Sequence, residues 1–564
     1  MKRIQWLTLF TVSLVTFTGC DFDFSSISDK NLSPEKAQSR LADLVDDIEW
    51  TQDFVQRRAN VSLTKTNLLD TLPDIDQYGV VAGPQVSGGV EVEIFASSEK
   101  AGKGSDGWLV DVVKEFNQKR FTLSNGKVAQ VRLRKIASGT GAQFIAARKH
   151  IPQAYTPSNV LWIKMIEAQG IPVHKVRDRL VGNVGGIVMK KNVAATLREQ
   201  YSTLDVSSII DAVAQGKLIT GYTNPYASST GLNFLVSVLH AFAESTDSNM
   251  LRPDVVSSFE SFQRNVPFVA MTTLQMRDSV QNNGVLDAFV MEWQTFSQTQ
   301  PPMSVEYEFI PFGIRHDNPL YAVGDVTEEQ KETLELLARH AESNAFTTLA
   351  NNYGFNDLDD YSSAFDVPDG TILANAQKVW KEKKDAGRPI TSLFLVDVSG
   401  SMSGQRIKAV RQALIGGADF IATHNSIGLV TFQTTVNVEL PPQPFDLRQK
   451  SAFWAAVEDL ETEGNTAMYN GIAVSLQLLL EQRKANPDSR LMLFVLTDGE
   501  TNKGLKFGKL EEVIRGVGIP IYTIGYAEQI AELKQISALV EAASLNASQG
   551  DVSYKIGNLL NAQM

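Results

Sequence analysis

The sequence predicts an α/β protein made of more than one domain. Apolar runs of strand length alternate with segments of helical periodicity from Val90 onward, and again from Leu393 to the carboxyl end. Several of these runs end in Gly, Ser, Thr or Asp, which is typical of strand-to-helix turns at the carboxyl edge of an open α/β sheet. At 564 residues the chain is too long for one hydrophobic core, so two or three domains are expected.

Composition and charge exclude several classes of function. The chain is 43% hydrophobic and 21% charged, as in ordinary globular proteins. Its net charge of −12 argues against nucleic acid or anionic lipid as the main partner. The six histidines are scattered, and neither a phosphate-binding Gly-x-x-x-x-Gly-Lys loop nor a nucleophile–base arrangement stands out. We therefore do not expect an enzyme, with a metal-dependent hydrolase kept as an alternative.

The amino terminus has the layout of a secretion signal. Lys2 and Arg3 precede an apolar stretch from Ile4 to Phe17, which is too short for a comfortable transmembrane helix. The stretch ends at Cys20, the single cysteine of the chain. In an exported protein a lone cysteine at this place indicates an anchor and not a redox group.

Phe17-Thr18-Gly19-Cys20 resembles the lipobox of bacterial lipoproteins. The resemblance implies that residues 1–20 are a lipoprotein signal peptide, and that Cys20 is lipidated and anchors the protein in a membrane of the cell envelope. Asp21 is similar to the signal that keeps Gram-negative lipoproteins on the periplasmic face of the inner membrane. The alternative is an uncleaved signal anchor with an idle cysteine.

Residues 21–87 are predicted to form a tether and an N-terminal helical segment. The polar run from Asp21 to Ser33 is typical of a tether. Residues 34–58 carry apolar side chains along one helical side, with Ser33 as N-cap and Pro34 at the first helical position. Residues 72–89 hold Pro, Gly and Asp and are typical of a linker.

From Val90 the strands are followed by turns rich in Gly and hydroxyl residues. Free N–H groups at helix N-termini and the helix dipole suit an oxyanion or a carboxylate, which predicts a small-ligand cleft. The alternative interpretation is that these residues are N-caps and turns. The predicted cleft residues are Ser97, Ser98, Ser138, Gly139, Thr140, Ser229 and Thr230.

The order of strands, turns and helices over residues 88–360 resembles that of extracytoplasmic solute-binding proteins of bacterial transporters. The resemblance implies a periplasmic-binding-protein-like domain of two lobes with a ligand between them. Residues 361–388, rich in lysine, are expected to be a linker helix with a solvated charged face.

A carboxylate and two hydroxyls follow the first strand of the C-terminal region. Leu393 to Val396 are apolar throughout, as in a buried parallel strand, and helical spacing starts again after Ser403. Asp397, Ser399 and Ser401 therefore lie in a strand-to-helix turn, where ligands bind in open α/β sheets.

Two distant segments complete this arrangement. The apolar strand from Arg490 to Leu496 runs into Asp498, and Thr466 lies at the mouth of a helix between the two strands. Two carboxylates and three hydroxyls would then meet at one sheet edge, where Asp397 and Asp498 would repel each other without a cation. A hard divalent ion resolves this repulsion, and Mg²⁺ tolerates hydroxyl ligands and retained waters; Mn²⁺ and Ca²⁺ are alternatives.

Residues 389–564 resemble a von Willebrand factor type A domain, which has a Rossmann-like fold. The five residues just named match its metal-ion-dependent adhesion site. The resemblance implies that Ser399, Ser401 and Thr466 bind the ion directly, and that Asp397 and Asp498 act directly or through water. An acidic side chain of a partner protein would fill the remaining coordination position.

Together these features predict a lipid-anchored, extracytoplasmic binding protein. It would engage an acidic residue of a protein partner through the metal and hold a small anion in the N-terminal domain. The alternative is a solute sensor or transport-associated receptor, in which the C-terminal domain relays occupancy of the cleft to a membrane complex.

Overall fold

The computed structural model describes residues 32–54, 57–61, 68–283, 286–526, 530–540, 542–548 and 550–564. The strands of these residues are β1 (Trp50–Thr51), β2 (Val80–Ala82), β3 (Val90–Ala96), β4 (Ala129–Lys135), β5 (Ala154–Thr156), β6 (Val173–Arg177), β7 (Val184–Lys190), β8 (Thr220–Thr223), β9 (Phe268–Ala270), β10 (Ala288–Glu292), β11 (Tyr307–Arg315), β12 (Leu320–Val323), β13 (Ile390–Asp397), β14 (Ser426–Phe432), β15 (Val436–Pro444), β16 (Arg490–Thr497), β17 (Ile521–Tyr526) and β18 (Ser544–Ala547).

The α-helices of the same residues are α1 (Pro34–Asp46), α2 (Trp108–Lys119), α3 (Ser138–Ala146), α4 (Leu161–Ala168), α5 (Lys191–Gln200), α6 (Val206–Ala214), α7 (Ser229–Ala243), α8 (Pro253–Gln263), α9 (Thr273–Asn283), α10 (Trp293–Ser297), α11 (Glu328–Ala341), α12 (Asn344–Asn352), α13 (Gly370–Lys383), α14 (Gln405–Gly417), α15 (Leu447–Glu458), α16 (Met468–Ala485), α17 (Phe507–Val517), α18 (Ala531–Leu539) and α19 (Val552–Gln563).

The C-terminal unit is built on one sheet with the strand order β1-β15-β14-β13-β16-β17-β18. Neighbouring strands are parallel except β14 and β15, which are antiparallel. The central strand β13 is buried along its whole length, as its apolar run predicts. Val396 of β13 pairs with Leu496 of β16, so the residues that follow both strands emerge at the same sheet edge.

The N-terminal segment packs on this C-terminal sheet. Strand β1 adds to it in parallel, with Trp50 opposite Val436 of β15. In α1, Ala37, Leu41 and Val45 are buried in the same apolar cluster as the residues of β13 and β16. The helix predicted to reach residue 58 ends at Asp46, because the following residues pair with β15. The residues between β1 and β13 are thus inserted between two parts of one unit.

The inserted residues form two lobes, each around its own mixed sheet. The first lobe has the strand order β2-β4-β3-β5-β12-β6, and the second has β11-β7-β10-β8-β9. The chain passes from the first lobe to the second between β6 and β7 and returns between β11 and β12. The two crossing segments are joined where Leu180 N–H donates to Asn318 O at 3.3 Å and His316 N–H donates to Asn183 O at 3.0 Å. The α/β fold class and the two-lobed arrangement predicted from the sequence are found.

Helix α13, predicted as a linker helix with a solvated face, is packed against both lobes. Its apolar side buries Leu373 and Trp380, and it contacts α4 of the first lobe and α7 and α8 of the second. The Trp380 indole N–H donates to Tyr222 O–H at 2.6 Å, and Gln377 donates to Pro225 O at 2.8 Å. Only the opposite side, with Lys378, is solvated as expected.

The C-terminal unit also touches both lobes, and α19 contributes to both contacts. Tyr554 O–H donates to Gln143 Oε1 in the first lobe at 2.6 Å. Gln563 Nε2 donates to Val269 O in the second lobe at 3.2 Å. The same helix packs on α14, which follows Ser401 in the chain. The two lobes and the C-terminal unit are therefore in direct contact with one another.

We expect Trp380→Ala to lower the free energy of unfolding by about 3–5 kcal/mol, because it empties a fully buried site shared by both lobes. Lys378→Ala, on the exposed side of the same helix, should change it by less than about 0.5 kcal/mol. Urea unfolding of the full chain measures both values. A Trp380→Ala effect as small as that of the control would contradict the packing role of α13.

A second prediction concerns pH. Lys381 Nζ donates to Asn561 O at 2.5 Å between α13 and α19, and burial lowers the pKa of Lys381 to about 7 from 10.5. In the unfolded chain the Lys381 ammonium stays protonated up to about pH 10.5, whereas in the folded protein it loses its proton above about pH 7. Burial of Lys381 therefore destabilises the folded protein increasingly as pH falls from about 10.5 to about 7. We expect Lys381→Met to raise the free energy of unfolding more at pH 7 than at pH 10.5. The exposed control Lys378→Met should give no such difference, and an equal effect of Lys381→Met at both pH values would be contrary evidence.

Candidate metal centre and interlobe cleft

Asp397 ends β13 with its carboxylate buried at the edge of the C-terminal sheet. Its Oδ1 accepts from the Ser399 backbone N–H at 2.8 Å, which closes the turn that follows the strand. Its Oδ2 accepts from the hydroxyl of Thr497, the last residue of the paired strand β16. Both carboxylate oxygens are thus held by the two strands that form the site.

A chain of hydrogen bonds links this turn to the end of β16. The hydroxyls of Ser399 and Ser401 lie 3.1 Å apart. The Ser401 hydroxyl donates to Asp498 Oδ1 at 2.7 Å. The structure therefore brings together four of the predicted site residues, Asp397, Ser399, Ser401 and Asp498, through direct contacts.

Thr466 reaches the same edge through its loop. The Gly400 N–H donates to Gly464 O at 3.1 Å, and the Glu463 N–H donates to Val398 O at 2.8 Å, which holds this loop against the Asp397 turn. Thr466 itself is buried, and its N–H donates to Asn502 Oδ1 at 2.9 Å. Thr466 thus belongs to the loop that adjoins the four residues linked above.

The electrostatics of the site show why a cation would suit it. Burial raises the pKa of Asp397, and the negative charge of Asp498 raises it further, whereas hydrogen bonds from Ser399 and Thr497 oppose the shift. Two carboxylates with covered side chains therefore lie close together at this edge. A nearby positive charge would stabilise both in their ionised forms.

The donor set fits a hard divalent cation. Its atoms are carboxylate and hydroxyl oxygens, which Mg²⁺, Mn²⁺ and Ca²⁺ accept. Within the described ranges, no group of three or more His, Cys, Asp or Glu side chains is placed to hold a metal ion. The candidate centre is therefore this mixed set of two carboxylates and three hydroxyls.

Sequence reasoning missed Arg406, near the start of α14. Its guanidinium contacts Asp498 Oδ2 directly and donates to Ser401 O at 3.1 Å. Its position in the sequence could have indicated this role. Arg406 lies in the first turn of the helix after Ser401, from which a long side chain can reach back to the preceding loop. Thr497 was also missed, although it directly precedes Asp498.

In the first lobe, the predicted cleft residues hydrogen-bond to protein groups. The Ser97 hydroxyl accepts from Lys100 Nζ at 2.7 Å, while Ser98 is half-buried. The Ser138 hydroxyl accepts from Ser158 N–H at 3.4 Å. The Thr140 hydroxyl accepts from Tyr554 of α19 at 3.3 Å, so this residue faces the C-terminal unit.

In the second lobe, the two predicted hydroxyls also hydrogen-bond to protein groups, Ser229 to the first lobe and Thr230 within its own lobe. The Ser229 hydroxyl accepts from the Trp162 indole N–H of the first lobe at 2.9 Å. The Thr230 hydroxyl donates to Glu292 Oε1 at 3.3 Å. Ser228 caps α7 by accepting from Gly231 N–H at 3.4 Å, which is the N-cap interpretation weighed from the sequence.

Glu292 and His316 form a buried pair that the sequence did not indicate. Asn233 Oδ1 accepts from Ile314 N–H at 3.0 Å, so its amide nitrogen must be the group 3.1 Å from His316 Nε2. His316 Nε2 is therefore an acceptor, and Nδ1 donates to Glu292 Oε1 at 2.8 Å. Asn183 donates to the other Glu292 oxygen at 2.8 Å. The Glu292 carboxylate is thus held by three protein groups, from His316, Asn183 and Thr230.

A buried ammonium group also lies beside the predicted cleft residue Ser97. Lys100 is fully buried, and Asn318 Oδ1 accepts from its Nζ at 2.9 Å. Burial lowers the pKa of Lys100, and burial together with Glu292 raises the pKa of Glu99. The region between the lobes thus combines charges of both signs.

The predicted lipidation site, Cys20, lies outside the described residues. In the part of the chain that the structure describes, no helix has the length and apolarity needed to cross a membrane.

The first turn of α3 is pressed against the second lobe, which leads to a prediction. Gly139 N–H donates to Ala227 O at 3.0 Å, and a Cβ at Gly139 would lie 2.0 Å from Tyr226 O. We expect Gly139→Ala to lower the free energy of unfolding by about 2–3 kcal/mol, because the lobes must separate to make room. Gly416→Ala is the matched control, since a Cβ there meets no atom within 4 Å, and it should be neutral or slightly stabilising. Two variants of equal stability in thermal unfolding would refute this close approach.

Parts of the chain are similar to a known protein family and to solved structures. Residues 393–554 match the model of the von Willebrand factor type A domain. An uncharacterised protein of Synechocystis sp., sll0103, is 28% identical over 172 residues, which are 30% of this chain and only 38% of that relative. Among solved structures, a von Willebrand factor type A protein from Catenulispora acidiphila is 19% identical with a TM-score of 0.28, and covers 31% of this chain and 42% of its own. A periplasmic thiamin binding protein is 10% identical with a TM-score of 0.38, and covers 54% of this chain and 99% of its own. The family match by itself shows that the C-terminal part of the chain, over residues 393–554, is a von Willebrand factor type A domain.

Proposed function

We propose that this protein is a lipid-anchored, extracytoplasmic binding protein that engages an acidic side chain of a partner protein through a divalent metal ion. The observation that carries the proposal is the hydrogen-bonded run from Asp397 through Ser399 and Ser401 to Asp498. It places oxygen donors from two separate strand ends within reach of one another.

Each residue has a distinct part in this proposal. Ser399, Ser401 and Thr466 would hold the ion through neutral hydroxyl oxygens, and Asp397 and Asp498 would supply negative charge. A bound Mg²⁺ would supply a coordination position for a carboxylate of the partner. Ser399 and Ser401 lie on a loop that is exposed at Ser401, so a partner has access to this edge.

Binding is favoured over catalysis by the donor set. Hydrolytic metal sites more often use carboxylate or histidine ligands with a general base beside the bound water. Here three of the five donors are hydroxyls, and the buried His316 is engaged by Glu292 between the lobes. Turnover of a hydrolysable substrate that is abolished by Asp397→Ala would favour the alternative of a metal-dependent hydrolase.

A second candidate function is supported by the contacts of the C-terminal unit with both lobes. In this alternative, a solute between the lobes is sensed and the metal-binding domain relays occupancy to a membrane complex. Tyr554 bonds to the first lobe at Gln143, and Arg490 donates to Pro267 O of the second lobe at 3.4 Å. A change in the angle between the lobes would therefore strain this interface. Calorimetric titration with sulfate, phosphate and small carboxylates tests the sensor function. If none of these ligands binds, the sensor function is disfavoured.

The principal proposal predicts that Ser399→Ala/Ser401→Ala weakens Mn²⁺ binding to the full chain by about tenfold or more, because two ligand oxygens are lost. Ser403→Ala is the control, since this hydroxyl lies in the same loop but bonds to Thr462 Oγ1 at 2.8 Å. Calorimetry measures the affinities, and a pull-down from membranes with Mg²⁺ present compares the captured partners.

The double variant should lose a partner that wild type and Ser403→Ala retain, and chelation of the metal should release that partner. Equal Mn²⁺ affinity in all three proteins, or capture that chelation leaves unchanged, would refute the metal-dependent function.

A further inference from the structure

Arg406 lies at the rim of the candidate metal centre and contacts two of its residues. Its Nη1 touches Asp498 Oδ2 and donates to Ser401 O at 3.1 Å. The Asp498 carboxylate is completely covered, with 0% of its side chain exposed, whereas 46% of the Arg406 side chain is exposed. A partly solvated cation is thus placed on a covered anion.

Both oxygens of Asp498 are engaged by this arrangement. The Ser401 hydroxyl donates to Asp498 Oδ1 at 2.7 Å, and the Arg406 guanidinium donates to Asp498 Oδ2. The guanidinium therefore supplies the positive charge that the two carboxylates of the site need. An arginine keeps its charge at any ordinary pH, so this contact does not weaken when pH changes.

A divalent ion bound near Asp498 would share that carboxylate with the guanidinium. Two cations a few ångströms apart repel each other, by an energy that is large wherever water is partly excluded. Metal binding must therefore work against the contact between Arg406 and Asp498.

We infer that Arg406 is a built-in competitor of the metal ion, and that it sets the affinity and the ion-free stability of the site. This inference rests on the proposed function, because it concerns the regulation of the same centre. The five oxygen donors bind the ion less tightly than they would alone. In the ion-free protein, the positive charge of Arg406 offsets the repulsion between Asp397 and Asp498, so the loop from Val398 to Ser401 stays folded.

The test compares Mn²⁺ binding by calorimetry in the full-length wild type and three variants. Arg406→Gln removes the charge and the contact with Asp498, while Arg406→Lys keeps the charge. Lys408→Gln is the matched control, because it removes one exposed positive charge from the same helix without touching Asp498. The melting temperature of each protein in a chelator is the second readout.

Arg406→Gln should bind Mn²⁺ about tenfold more tightly than wild type and should melt at a lower temperature in chelator. Arg406→Lys should lie near wild type, and Lys408→Gln should change Mn²⁺ affinity by less than about twofold, since exposed charges are screened. Binding of Mn²⁺ by Arg406→Gln but not by wild type would also support competition.

If Arg406→Gln binds Mn²⁺ as tightly as wild type or more weakly, competition is refuted while the metal centre stands. The same holds if Lys408→Gln strengthens binding as much as Arg406→Gln does, because the effect would then be one of general charge. Failure of every protein, wild type included, to bind Mn²⁺ overturns both this inference and the proposed function.

Discussion

The parallel pairing of β13 with β16 is the constraint on which the candidate centre depends. Val396 lies opposite Leu496, so Asp397 lies opposite Thr497 and Asp498 follows one residue later at the same sheet edge. Both strands are buried apolar runs, and a shift of one residue would turn their side chains to the opposite faces of the sheet. The hydrophobic core therefore fixes the spacing of two carboxylates that would otherwise repel each other. The hydroxyls, Arg406 and any metal ion act within that fixed spacing.

The same core extends into the rest of the chain. Helix α1 completes the C-terminal unit from the other end of the sequence, and α13 buries Trp380 where the two lobes meet. Helix α19 lies between the lobes and α14, the helix that carries Arg406. The candidate metal centre and the interlobe region are therefore connected through packed side chains. That connection gives the proposed relay a physical path.

Much of this structure could be predicted from the sequence, because apolar runs and strand-end turns are local signals. The strand bearing Asp397 and the two-lobed α/β order follow from such signals. The role of α13 did not, because its lysines mark only the solvated side of an amphipathic helix. The sequence likewise did not place α1 on a sheet formed hundreds of residues later. Gly139 and Ser229 were predicted to line a ligand cleft, with turns and N-caps as the alternative. Their use in contacts between the lobes depends on how the lobes pack together, which local sequence does not encode. Arg406 was missed for the same reason, since its partner Asp498 is distant in the chain.

The most direct test of the central claim is a crystal structure of the full chain grown with Mn²⁺, with anomalous scattering used to locate the ion. The account predicts one Mn²⁺ at the carboxyl edge of β13 and β16, bound by the hydroxyl oxygens of Ser399, Ser401 and Thr466. The guanidinium of Arg406 should have moved away from Asp498. An anomalous peak elsewhere, or none at this edge in crystals saturated with Mn²⁺, would contradict it.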